Sequence, residues 1–121
     1  MQQCIGLISD THGSLDERAV SVFRDAKVAH ILHAGDIGPL SLLAKLEAIA
    51  PVTAVLGNND SSLHGAGIER EALVNINGVR IFLVHRFEEA QFDSSKDIIV
   101  FGHTHRPVKA RDPLSKILVV N

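Results

Sequence analysis

The stretch Cys4-Ile5-Gly6-Leu7-Ile8-Ser9-Asp10-Thr11-His12-Gly13 decides the fold: a short apolar run breaks abruptly into small and polar residues. Such a run reads as a buried strand ending in a loop. The transition recurs twice. His30 to Ala34 runs into Gly35-Asp36-Ile37-Gly38, and Val52 to Leu56 runs into Gly57-Asn58-Asn59-Asp60. Between these strands Leu15, Ala19, Val22, Phe23 and Ala26 recur at helical spacing, with Ser14 and Glu17 in the positions of a capping box. Leu42, Leu43, Leu46, Ile49 and Ala50 form a second helical face, opened by Pro39 and closed before Pro51. Short β-α-β-α-β crossovers imply parallel strands, and in open α/β sheets ligands gather at the strands' carboxyl ends.

The second half changes style. Glu71 to Ile76 and Val79 to His85 flank Asn77-Gly78, a strong hairpin signal. Ile98 to Phe101 ends in Gly102-His103-Thr104-His105. Val108 to Arg111 and Ile117 to Val120 then flank Asp112-Pro113-Leu114-Ser115 as a last hairpin. The expected class is α/β, a β-sheet core with a parallel first half and a hairpin-rich second half. Residues 1–121 are read as one domain, with no internal repeat or linker.

The composition is that of an ordinary globular chain: 121 residues, 45% hydrophobic and 21% charged. With no Trp or Tyr, the core must rest on Val, Ile, Leu and Ala. A net charge of −2 without a Lys/Arg block argues against an extended nucleic-acid surface. No apolar stretch has the length of a membrane span, and the N-terminus lacks the pattern of a signal peptide. The single cysteine, Cys4, reads as a small core residue, and one thiol without an internal partner suits the cytoplasm. The unusual number is seven histidines, most of them beside Asp, Asn or Gly.

Asp10, His12, Asp36, Asn58, His85, His103 and His105 each follow an apolar strand, and all are metal-ligand types. In extended backbone, residues two apart point the same way, so Asp10-x-His12 and His103-x-His105 can each grip one ion. Imidazole and carboxylate without thiolate suit Mn, Fe, Zn or Ni better than Ca or a structural zinc cage.

The ordered set Asp10-Thr11-His12, Gly35-Asp36, Gly57-Asn58-Asn59-Asp60, His85 and Gly102-His103-Thr104-His105 resembles the motif series of the calcineurin-like metallophosphoesterases. It is most similar to their small bacterial and archaeal phosphodiesterase branch, to which the eukaryotic retromer scaffold subunit also belongs. The resemblance implies one metal held by Asp10, His12, Asp36 and His105. It implies a second held by Asp36, Asn58, His85 and His103, with Asp36 bridging. It further implies two divalent transition-metal ions, manganese foremost, sharing a hydroxide that attacks phosphorus in line with the leaving group. Asp36, Asn58, His103 and Asp60 are then the catalytic residues, Asp60 by orienting its neighbours. The implied substrate is a small phosphate ester, diester ahead of monoester and nucleotide-derived by resemblance.

Three departures from the family pattern stand out. Asn59 occupies a place where many relatives have His and the small branch often has Cys; Asn cannot act as a general acid. Arg86 follows His85 where Gly is usual, and either clamps phosphate or points away and stiffens the loop. The stretch between His85 and Ile98 is short, and the chain ends at Asn121 where relatives continue. That shortening predicts a more open site and a raw sheet edge, which invites a homodimer.

Other residues carry blander readings. His30 and His33 are expected to be structural, His64 solvent-exposed, and Arg106 either a surface residue or a phosphate contact. A scaffold that keeps the metal site without useful turnover is the alternative to an enzyme; Asn59 and the shortened wall favour it, and the full ligand set opposes it.

Overall fold

The computed structural model describes residues 4–60, 63 and 67–121; His64 lies outside them. Strands β1 (Ile5–Ile8), β2 (His30–His33) and β3 (Val52–Ala54) alternate with helices α1 (Glu17–Asp25) and α2 (Leu40–Glu47). They form a parallel sheet in the order β1-β2-β3. Strands β4 (Glu71–Ile76), β5 (Val79–Val84), β6 (Ile98–Val100), β7 (Lys109–Arg111) and β8 (Leu118–Val120) form a mixed sheet ordered β4-β5-β6-β8-β7.

The layers follow from alternation along β2. Ile31 packs with Phe23, Leu42, Leu43 and Leu46 on the helical side. Leu32, its neighbour, points the other way and joins Val55, Ile81, Leu83 and Val100 between the two sheets. Both residues are fully buried, as expected of a strand covered on both faces. A third cluster of Val84, Phe101 and Val119 lies on the far face of the mixed sheet, with Phe82 and Ala90 packed against it. Ala90 belongs to the short segment after His85, which holds one 3₁₀ turn, Phe87–Glu89.

The Asn77-Gly78 hairpin forms as read, with both residues at positive φ (52° and 84°) joining β4 to β5. Three local expectations fail for identifiable reasons. Ser14 does not cap α1, because the helix begins only at Glu17; Asp16 caps instead, accepting from the Arg18 N–H at 2.8 Å. Val22 is 61% exposed, because a helix this short turns Phe23, not its neighbour, onto the sheet. Cys4 is exposed, since β1 begins only at Ile5. The expected sheet edge is β7, with β8 between it and β6, and it carries exposed Lys109 and Arg111. Among the described residues no helix is long and apolar enough to cross a membrane.

Candidate metal centre

The loops after β1, β2, β3, β5 and β6 meet at one end of the molecule. Those after β1 and β2 are zipped together by backbone bonds from Asp10 to Gly35, from His12 to Asp36 and from Gly13 to Ile37, all 2.8–2.9 Å. The Gly102 N–H donates to the His85 carbonyl at 3.0 Å and joins the loops after β5 and β6.

The side chains on these loops fall into two groups whose ligand atoms lie within 4.8 Å of one another: Asp10, His12 and His105, and Asp36, His85 and His103. The groups adjoin. Asp36 Oδ2 lies 3.4 Å from His85 Nε2 and 3.7 Å from His12 Nε2, between the two. Asn58 Oδ1 joins the second group, 2.9 Å from His85 Nε2 and 3.1 Å from His103 Nδ1. All seven candidate ligands are thus brought together.

The geometry differs from the expected one in a telling way. Asp10, His12, Asp36, His103 and His105 are not extended; all have positive φ, between 48° and 73°. Left-handed backbone is costly for residues with a Cβ and here reverses the chain within a residue or two. Consequently His103 and His105 do not share an ion position: they serve opposite groups. Asp10 and His12 do fall together.

Close approach of backbone to ligand also explains two glycines. A Cβ at Gly57 would stand 2.2 Å from Asp36 Oδ1, and one at Gly35, where φ is +100°, would stand 2.7 Å from His85 Nδ1.

Do these residues fit cations? His85 Nδ1 lies 2.7 Å from the Ala34 carbonyl, which only accepts, so that nitrogen carries the proton. Nε2 then offers a lone pair to Asn58 Oδ1 and Asp36 Oδ2, themselves acceptors. On the other side, Asp10 Oδ2 accepts from Ser9 Oγ (2.7 Å) and the His103 N–H (3.0 Å). Asp10 Oδ1 is buried with no hydrogen-bond partner and faces His105 Nε2 at 3.4 Å. Acceptors that face one another with no donor between them favour a positive charge among them. The donor set fits borderline divalent metals.

Burial alone would raise the Asp36 carboxyl's pKa; the Asn59 N–H, the facing His85 and the Asn59 side chain outweigh it and hold the group below its ordinary value. It stays ionised and ready to take a cation.

Several supports were not visible in the sequence motifs. Ser9 aims Asp10, as described. Asn59 donates its N–H and its side-chain amide to the two oxygens of Asp36. Thr11 Oγ1 donates to the Ile37 carbonyl at 2.8 Å and receives Nε2 of His33 at 3.0 Å. His33 Nδ1 in turn accepts from the Gly35 N–H. Burial drives the pKa of His33 down to about 4, against the pull of Asp60 and Asp10. His33 and His30 (on Thr53 Oγ1 at 2.8 Å) are therefore structural, as read. Asp60, read as catalytic by resemblance, is buried below the loops and accepts from the N–H groups of Ile37 and Gly57. It positions the backbone of Asp36 and Asn58 and does not face the ligand atoms.

A match to the Calcineurin-like phosphoesterase superfamily domain spans residues 4–121. The chain belongs to this superfamily. It is 35% identical to a probable metallophosphoesterase of Methanothermobacter thermautotrophicus over 118 residues, covering 85% of this chain and 67% of the relative. A solved archaeal phosphodiesterase superposes with a TM-score of 0.82 at 28% identity, covering 97% of this chain and 81% of that one. Vacuolar protein sorting 29 of Cryptosporidium parvum shares the fold, with a TM-score of 0.79 at 22% identity over 97% of this chain and 72% of that one.

Proposed function

We propose that this protein is a metal-dependent phosphoester hydrolase that prefers diesters. The observation that carries the reading is the convergence of His85 Nε2 and Asn58 Oδ1 beside Asp36 Oδ2, with the unpartnered Asp10 Oδ1 3.9 Å from His85 Nε2, at the strand ends of a metallophosphoesterase fold. Asp10, His12, Asp36 and His105 would hold one cation. Asp36, Asn58, His85 and His103 would hold the other, and manganese is the first candidate for both. When bound, such a pair supplies Lewis-acid polarisation of the phosphoryl oxygens and an activated water.

The chain's own groups set the rest. Asp36 is held ionised between the two positions by the Asn59 N–H. His85 is fixed as the Nε2 ligand tautomer by the Ala34 carbonyl, and Asp10 is aimed by Ser9 and the His103 N–H. His12 and His105, with side chains 43% and 59% exposed, leave one face open for a phosphoryl group. A pocket of about 280 Å³ opens beside Asn58 and His85 and offers room for one arm of a diester. Asn59, exposed at the rim, has no proton to give a departing alkoxide. Esters with good leaving groups are therefore the better substrates. Nucleotide-derived diesters and a reducing, cytoplasmic setting complete the reading.

The test is hydrolysis of an activated aryl phosphodiester with and without added Mn²⁺. Turnover that needs the metal and vanishes in Asp36→Asn and His103→Ala supports the hydrolase. Metal binding without turnover supports the second reading, a scaffold on the same fold, which the missing acid at Asn59 favours.

A further inference from the structure

Arg86 does not belong to the ligand set, yet it lines the pocket that adjoins it. That pocket has a floor of Gly57, Asn58 and His85 and an outer wall of Arg70, Arg86 and Glu89. Two of the floor residues are the proposed ligands of the second cation, so the pocket continues outward from where a phosphoryl group would sit.

The wall's charges do not cancel. Glu89 is the only carboxylate among the lining residues, and Arg70 Nη2 already engages its Oε1 at 3.4 Å. Among the described residues no carboxylate lies within ion-pair distance of Arg86, which is half-buried. Its main chain is nevertheless fixed. The Glu89 N–H donates to the Arg86 carbonyl at 3.1 Å, and the preceding carbonyl, of His85, accepts from the Gly102 N–H at 3.0 Å. A guanidinium on an anchored backbone, partly desolvated and without a counter-ion, is an anion receptor, and its planar fork matches the two oxygens of a carboxylate or phosphate.

The geometry points to a second anion subsite: Arg86 binds a carboxylate or phosphate carried on the non-reacting arm of the phosphoester, one pocket's length from the scissile group. This rests on the hydrolase reading for its orientation. The preferred substrate class is then a phosphodiester with an additional negative charge on one alcohol.

A matched pair of probes tests it. Binding of phosphonopropionate and propylphosphonate, which differ in a terminal carboxylate, is measured by calorimetry on the Mn²⁺-loaded protein. In parallel, kcat and KM are measured for the p-nitrophenyl carboxyethyl and p-nitrophenyl propyl phosphodiesters. The wild type is expected to favour the carboxylate member of each pair by about tenfold, the worth of one charge-assisted bond. Arg86→Gln should erase that preference, mainly through KM, while leaving the propyl ester unchanged; Arg86→Lys should keep part of it. Equal binding of both phosphonates to the wild type, or a preference that survives in Arg86→Gln, overturns the subsite. A carboxylate preference in binding without turnover of either ester upholds the subsite and refutes the hydrolase.

Discussion

Asn59 touches both oxygens of Asp36: its N–H reaches Oδ1 at 2.9 Å and its side-chain amide reaches Oδ2 at 3.1 Å. With no proton to give, Asn59 steadies a carboxylate instead. The rate should therefore fall steeply as the leaving group becomes more basic. Asn59→His should flatten that dependence, raising turnover of an alkyl diester by about a hundredfold while changing an aryl diester little. Rates across a leaving-group series, in both proteins, check it.

Ser9 offers a cleaner separation of the two cation positions. Ser9→Ala removes the hydroxyl donor from Asp10 Oδ2 and leaves the His103 N–H in place. Affinity at the Asp10, His12 and His105 position should drop by about tenfold, the usual effect of losing a group that orients a ligand. Affinity at the other should stay the same. Two-site metal titration reads both constants.

Asp60→Asn puts an amide where a carboxylate accepts from two buried backbone N–H groups, those of Ile37 and Gly57. One N–H then faces a donor or loses its partner. The expected cost is about 1–3 kcal/mol of folding stability, and metal affinity should weaken at both positions because the loops of Asp36 and Asn58 loosen together. Urea unfolding and the same titration measure the two effects.

His33 gives a pH signature of stability. Its ring is neutral in the fold, with a pKa near 4 against an ordinary 6.5, so between those values the unfolded chain binds the extra proton. Stability from this residue is complete above pH 6.5 and drains away as the pH falls toward 4. His33→Asn keeps an acceptor for the Gly35 N–H but does not titrate. From pH 7 to pH 4.5 the wild type should lose roughly 2 kcal/mol more than this variant, measured by urea unfolding at each pH.

The sequence pattern made the strand ends legible because apolar runs and polar, glycine-containing stops are set by burial, which acts locally. Asp36, Asn58 and His103 could be located that way without any knowledge of the fold. What stayed hidden depends on groups far apart in the chain or on single torsions. Ser14 looked like a cap, but the helix starts three residues on and Asp16 takes that place. The pairing of His103 with Asp36 and of His105 with Asp10, implied by the resemblance, was hidden from the spacing alone, because it follows from left-handed turns that Asp and His tolerate without requiring. Ser9 and Thr11 gave no signal either, because a hydroxyl's partner is decided by tertiary contact.

Those left-handed turns put conformational stability and metal capture in competition. At Asp10, His12, Asp36, His103 and His105 glycine would suit the backbone better than the residue present, so the demetallated protein is less stable than glycine-substituted versions of it would be. His105, the most exposed of the set, shows the trade most plainly: with glycine there the empty protein should melt later and hold its cation worse.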